Sequence, residues 1–204
     1  MSASVHEWIA AAFLLLLCAL SARSYRRDHA ARDYADGSRE AMPSPRGFAA
    51  VYAWIRTSTL VCGLGALLSP HAVWLVVHRS PVAIYAGMAV AAAGYLMFAL
   101  SRRALGRHYS PCYDSYVPHA IVTAGPYARI RHPIYTANQL VLLGLALATG
   151  SVWLVANLVM LWWYYRRSAR DEEARLLQEH DRYAPYYRRT GRFLPRLFGR
   201  SRAA

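Results

Sequence analysis

Residues 134–165, IYTANQLVLLGLALATGSVWLVANLVMLWWYY, carry no charged side chain over 32 positions. As one helix rising 1.5 Å per residue, this run would be roughly 48 Å long, well beyond the 30 Å or so of a bilayer's hydrocarbon. Gly150-Ser151 stands at its middle and predicts a turn that folds the run into two short antiparallel helices. Each arm is then short for a full crossing and must tilt or reach only part way.

Outward from this hairpin the chain repeats the theme. Apolar runs occupy about Trp8–Ala22, Gly47–Leu68 (interrupted by Arg56) and Pro81–Leu100, within 204 residues that are 56% hydrophobic. That composition excludes a disordered chain, and the run lengths predict an all-α polytopic transmembrane bundle. Small residues at Ala86, Gly87, Ala89, Ala91–Ala93 and Gly94 predict close helix–helix approach in the third run.

Charge tests the layout independently. The net charge is +13, and all 24 basic residues are arginine. They lie between and after the apolar runs and line no reading face, so nucleic acid is not the expected partner. Segment 23–46 holds six arginines, 102–131 five and 166–204 eleven, whereas the two turns on the other side hold only Arg79. Positive residues accumulate in short cytoplasmic loops. The alternation predicts about five membrane segments, the N-terminus outside, and an amphipathic arginine-rich tail in the cytoplasm. No basic region precedes the first run, so an uncleaved first span is expected. Three cysteines, Cys18, Cys62 and Cys112, form neither a disulfide framework nor a metal-ligand spacing.

Two polar stretches flank the hairpin. The first, HAIVTAGPYARIRHPIY at 119–135, packs two prolines, a glycine, two tyrosines and two histidines into 17 residues. Pro126, Pro133 and Gly125 predict irregular backbone with N–H groups free to meet a ligand. An interfacial belt of Tyr127, Tyr135, Arg129 and Arg131 at headgroup depth is the competing reading. The second stretch, RRSARDEE at 166–173, reads as a solvated helix supported by pairs such as Arg167 and Asp171, or as a helix that turns Glu172 into a cavity.

Together these stretches carry a resemblance. Gly125-Pro-Tyr-x-x-x-Arg131-His-Pro-x-Tyr135, the uncharged hairpin, Glu172-Glu173-x-x-Leu176, the tyrosines Tyr183 and Tyr186 or Tyr187, and Arg192-Phe-Leu-Pro195 occur in that order. The chain from about 106 to 198 resembles the C-terminal half of the isoprenylcysteine carboxyl methyltransferase family, which is similar there to phospholipid N-methyltransferases. The resemblance implies an N-terminal unit, 1–105, of membrane spans and a cofactor-binding half, 106–204. It implies S-adenosylmethionine as cofactor, contacted by His119, Ala120, Ile121, Val122, Tyr127, His132, Pro133, Ile134, Tyr135 and Glu172; neither His119 nor His132 has a metal-ligand companion at short helical spacing, so no metal is expected. It further implies a lipid-like or prenylated acceptor that enters from the membrane and reacts at the cytoplasmic face.

One position departs from the pattern. The family's carboxylate-binding arginine falls four residues before the glutamate, where this chain has Ser168. Either Arg167 substitutes, acting with Glu172 as a catalytic residue, or the acceptor is not a prenylcysteine carboxylate. Asn138, Trp162 and Trp163 are candidate wall residues, and Arg56 either faces a cavity or snorkels to the interface. The alternatives are an NADPH-dependent membrane reductase of the sterol type and a non-catalytic protein whose basic tail binds anionic lipid.

Overall fold

A computed structural model describes residues 4–30, 47–68, 80–106, 109 and 121–196. His119, Ala120, Cys112 and Arg79 lie outside the described residues. Among those described, six α-helices and one short 3-10 turn make up the regular structure: α1 Val5–Ala30, α2 Phe48–Leu68, α3 Pro81–Leu105, the 3-10 turn Gly125–Ala128, α4 Pro133–Thr149, α5 Val152–Glu179 and α6 Tyr183–Arg189. The architecture of the described residues is all-helical.

The uncharged run breaks at the Gly-Ser pair. Gly150 takes the left-handed conformation (φ 65°) that caps a helix without a Cβ penalty, and its N–H donates to Ala146 O at 2.9 Å. Ser151 then precedes α5. Proline opens both α3 and α4, where its missing N–H has no helical partner to lose. Ser80 caps α3 by accepting from the Ala83 N–H at 3.3 Å.

The tail helix expected after Arg166 is not a separate element. α5 runs through Tyr165 without a break for 28 residues, roughly 42 Å. The reason is local: residues 164–179 contain neither glycine nor proline, and Arg175 pairs with Glu179 at 2.7 Å, one turn on. The second arm of the hairpin thus carries the polar residues beyond the apolar layer as one rigid rod.

α3 and α4 form the most extensive interface. Their backbones nearly touch: a Cβ on Gly87 would lie 2.5 Å from Ala148 N, and one on Gly144 would lie 2.4 Å from Ala91 N. α1 and α2 close the bundle around Leu14, Ile55, Ile84, Leu145, Leu154 and Leu161, all buried. Asn157 of α5 donates to Ser58 Oγ of α2 at 2.8 Å, an interhelical bond of the kind that ties membrane helices. Outside this core the surface is apolar, with Trp8, Trp54, Val61, Val82, Leu96 and Val159 all exposed. Such a surface suits lipid. Val5–Ser24 of α1 and all of α3 are long and apolar enough to cross a membrane, whereas α4 is shorter. Arg56 lies on the exposed side of α2.

Candidate functional site

At the end of the hairpin away from Gly150, α4 and α5 bring together side chains that helical spacing has already aligned. Leu161, Tyr165, Ser168 and Glu172 recur at intervals of four, three and four along one face of α5. Tyr135, Gln139 and Leu143 recur at intervals of four along α4, with Thr136 beside them. The Tyr135 and Tyr165 rings stack with centroids 4.2 Å apart, and His132 also stacks on Tyr135, at 5.2 Å. Tyr165 is fully buried and its hydroxyl accepts from Asn138 Nδ2 at 2.7 Å.

These rings lead to one carboxylate. The Tyr135 hydroxyl donates to Glu172 Oε1, Ser168 Oγ donates to the same oxygen at 3.0 Å, and His132 Nδ1 lies 3.6 Å from Oε2. The Glu172 side chain remains 18% exposed. Its neighbour Glu173 is 3% exposed and fully engaged. Glu173 accepts from Arg131 Nε at 2.8 Å, from His132 Nε2 at 3.2 Å and from Arg192 Nε at 2.9 Å.

Burial alone would raise the Glu173 carboxyl, but the hydrogen bonds from His132, Arg192 and Arg131 outweigh it and hold the group down at about 2. Arg192 is raised in turn, chiefly by its bond to Glu173. Tyr186 is pushed up to about 12, mainly by burial, and Tyr183 is raised further, by burial and then by the Glu173 charge. Both phenols therefore stay neutral.

Glu173 also fixes a strap. Residues 190–196 fold back along 129–132, with Arg131 N–H donating to Gly191 O at 2.8 Å and His132 N–H to Arg192 O at 3.0 Å. Ile130 and Gly191 form an isolated parallel bridge. Arg131 adds a bond to Tyr187 O at 2.9 Å and sets its guanidinium 4.2 Å from the Tyr187 ring centroid, joining α6 to the strap. Thr136 Oγ1 donates to Phe193 O at 2.8 Å. Phe193 then packs on Trp162 with centroids 5.0 Å apart.

Behind Tyr135 and under the strap lies a cavity of about 630 Å³ between α4 and α5. Leu140, Leu143, Leu158 and Val159 form its walls, and Tyr165, Trp162 and Phe193 its aromatic end. Tyr135 belongs both to this cavity and to the Glu172 cluster.

The structure brings His132, Tyr135 and Glu172 together, with Pro133 and Ile134 buried at the start of α4 beside them. Tyr127 is buried in the 3-10 turn, where its carbonyl accepts from the Tyr186 hydroxyl at 2.8 Å. Ile121 lies at a different, polar cleft with Thr123, His180, Arg182 and Tyr186, and Val122 adjoins it in the chain. Arg167 does not join the cluster: it is exposed, its guanidinium 6.0 Å from the Trp163 ring centroid, while buried Ser168 occupies the side facing Glu172. Of the expected wall residues, Trp162 lines the cavity, Asn138 holds Tyr165, and Trp163 is turned outward. The sequence pointed to no role for Glu173, Arg192 or Tyr165, and Arg131, expected at headgroup depth in the competing reading, is instead buried against Glu173. Glu173 and Arg192 stand in the quoted motifs, but their mutual contact spans 19 residues and carries no local signal.

Residues 82–180 match the phospholipid methyltransferase family, grouped with the isoprenylcysteine carboxyl methyltransferase-like enzymes. The matched stretch takes in α3, the 3-10 turn, the hairpin and all of α5. It supports a membrane methyltransferase as the general class. The chain is also 33% identical over 136 residues to the cobalt-zinc-cadmium resistance protein CzcN of Cupriavidus metallidurans, covering 66% of this chain and 59% of that protein. It is 37% identical over 78 residues to the nickel-cobalt-cadmium resistance protein NccN of Alcaligenes xylosoxydans xylosoxydans, covering 38% of this chain and 37% of that protein.

Proposed function

We propose that the protein is a membrane-embedded methyltransferase that uses S-adenosylmethionine and acts on an amphipathic, lipid-like acceptor. One observation carries this reading: a partly exposed glutamate, Glu172, shares Tyr135 with a large apolar cavity. The residues present suit the cofactor. A carboxylate on a partly exposed side chain can pair with an α-ammonium group, and the His132 ring lies beside it. Pro133, Ile134 and Tyr127, with His119, Ala120, Ile121 and Val122, are assigned to the rest of the cofactor. When bound, S-adenosylmethionine supplies an electrophilic methyl group.

The protein's own part is placement and exclusion of water. Glu172 orients the cofactor's amino-acid end, and Tyr135 and Ser168 fix the carboxylate in turn. Glu173, gripped by Arg131 and Arg192, anchors His132 and the strap, which closes the site on the solvent side. The cavity takes the acceptor's apolar body. Ser168 is neutral and Arg167 is drawn to Trp163, which favours an acceptor whose reacting group is not a carboxylate. The arginine distribution supports five membrane segments with this site at the cytoplasmic face.

The direct test is transfer of tritiated methyl from S-adenosylmethionine to lipid extracts by the purified protein. Label entering the organic phase with wild type and falling at least tenfold with Glu172→Ala is the expected result. A folded wild-type protein that labels no lipid fraction contradicts a lipid acceptor.

A further inference from the structure

The cavity between α4 and α5 contains a polar atom to which the protein gives no partner. Gln139 lines it, and Gln139 Nε2 is buried without a hydrogen bond. The neighbouring polar side chains are committed: Thr136 Oγ1 donates to Phe193 O, the Tyr135 hydroxyl to Glu172, and the Tyr165 hydroxyl accepts from Asn138. Folded proteins rarely leave a buried donor unanswered, because its lost hydration is then not recovered. The surroundings offer no replacement, since the other side chains lining the cavity are leucine, valine and aromatic rings.

Position adds to chemistry. Gln139 follows Tyr135 by four residues on α4, so their Cβ atoms lie one above the other, about 6 Å apart. Leu143 continues the same face a further turn on. A ligand laid along this face with its head at Tyr135 meets first an amide donor and then only apolar surface.

We propose that the cavity binds a lipid whose apolar chain carries a hydrogen-bond-accepting oxygen near its head, an ester, ether or carbonyl oxygen, and that Gln139 donates to that oxygen. Gln139 is then a specificity residue that distinguishes oxygen-bearing chains from plain hydrocarbon. The inference rests on the proposed function only for the end at which the head lies; the preference for an oxygen stands on the cavity alone.

The test uses the full-length protein in detergent and two photoreactive diazirine probes of equal chain length, a fatty acid methyl ester and a hydrocarbon. Cross-linked peptides from α4 and α5 are quantified by mass spectrometry. Wild type should label more strongly with the ester, by roughly two- to tenfold, the worth of one hydrogen bond. The ratio should fall to about one in Gln139→Leu and in Gln139→Met, neither of which has a hydrogen-bond donor. Gln139→Leu should also raise the thermal midpoint without probe, because it removes an unanswered polar atom from an apolar space. A wild-type ratio near one, a ratio unchanged by both substitutions, or a lower midpoint for Gln139→Leu would overturn the proposal. Binding of S-adenosylhomocysteine, measured on the same sample, reports separately on the methyltransferase reading.

Discussion

Glu173 accepts hydrogen bonds from Arg131, His132 and Arg192, while the adjacent Glu172 side chain stays partly exposed. Consecutive helical residues point about 100° apart, so one glutamate can be spent on structure while the other remains open to a ligand. Replacing Glu173 by Gln leaves Arg131 buried without its counter-charge and should cost about 3–5 kcal/mol in denaturant unfolding. Glu172→Gln should cost far less and act instead on cofactor binding. The same network sets an acid limit. Because the Glu173 carboxyl drops from 4.5 to about 2 on folding, its contribution is complete above pH 4.5 and disappears as pH falls through about 2. The loss is roughly 3 kcal/mol. Thermal midpoints measured from pH 2 to 7 should therefore fall steeply below pH 4 in wild type and less so in Glu173→Gln. Glu172 was legible in the sequence as part of an ordered motif. The task of Glu173 was not, because Arg131 stands 42 residues away and only the fold brings it near.

At the scale of elements, the hairpin was readable because a glycine interrupts an otherwise uncharged run, and a left-handed cap is what Gly150 supplies. The length of α5 was less readable. Charge begins at Arg166, but a change from apolar to polar surface does not end a helix when no residue breaks it. The stripe of small residues in the third run does mark a close seam, and Gly144→Leu should disrupt it: its Cβ alone would meet the Ala91 backbone. A drop in thermal midpoint and in yield of folded protein is expected. The strap left no periodic signal, since it is held by backbone bonds and by Gly191, where an added Cβ would lie 1.7 Å from Leu194 O. Gly191→Ala should loosen it. Trypsin should then cut after Arg192 faster than in wild type, while the α3–α4 seam remains intact.

For the whole molecule, apolar side chains cover the outside of the bundle, and polar groups gather at the open end of the hairpin, where Glu172, the strap and the apolar cavity meet. An amphipathic acceptor fits that division, with its tail among α4 and α5 and its head at the polar layer. The arginine distribution predicts opposite sides for the two ends of α5. In a cysteine-free background, a cysteine at the exposed position 152 should react with a membrane-impermeant thiol reagent from outside intact cells and one at position 180 should not; equal labelling would contradict the five-segment layout. The central claim is the cofactor pocket, and calorimetric titration of the purified protein with S-adenosylhomocysteine tests it most directly. Saturable binding in wild type, lost in both Glu172→Ala and Tyr135→Ala, is the predicted result. A folded wild-type protein that binds no S-adenosylhomocysteine, or variants that bind it as wild type does, would contradict the assignment.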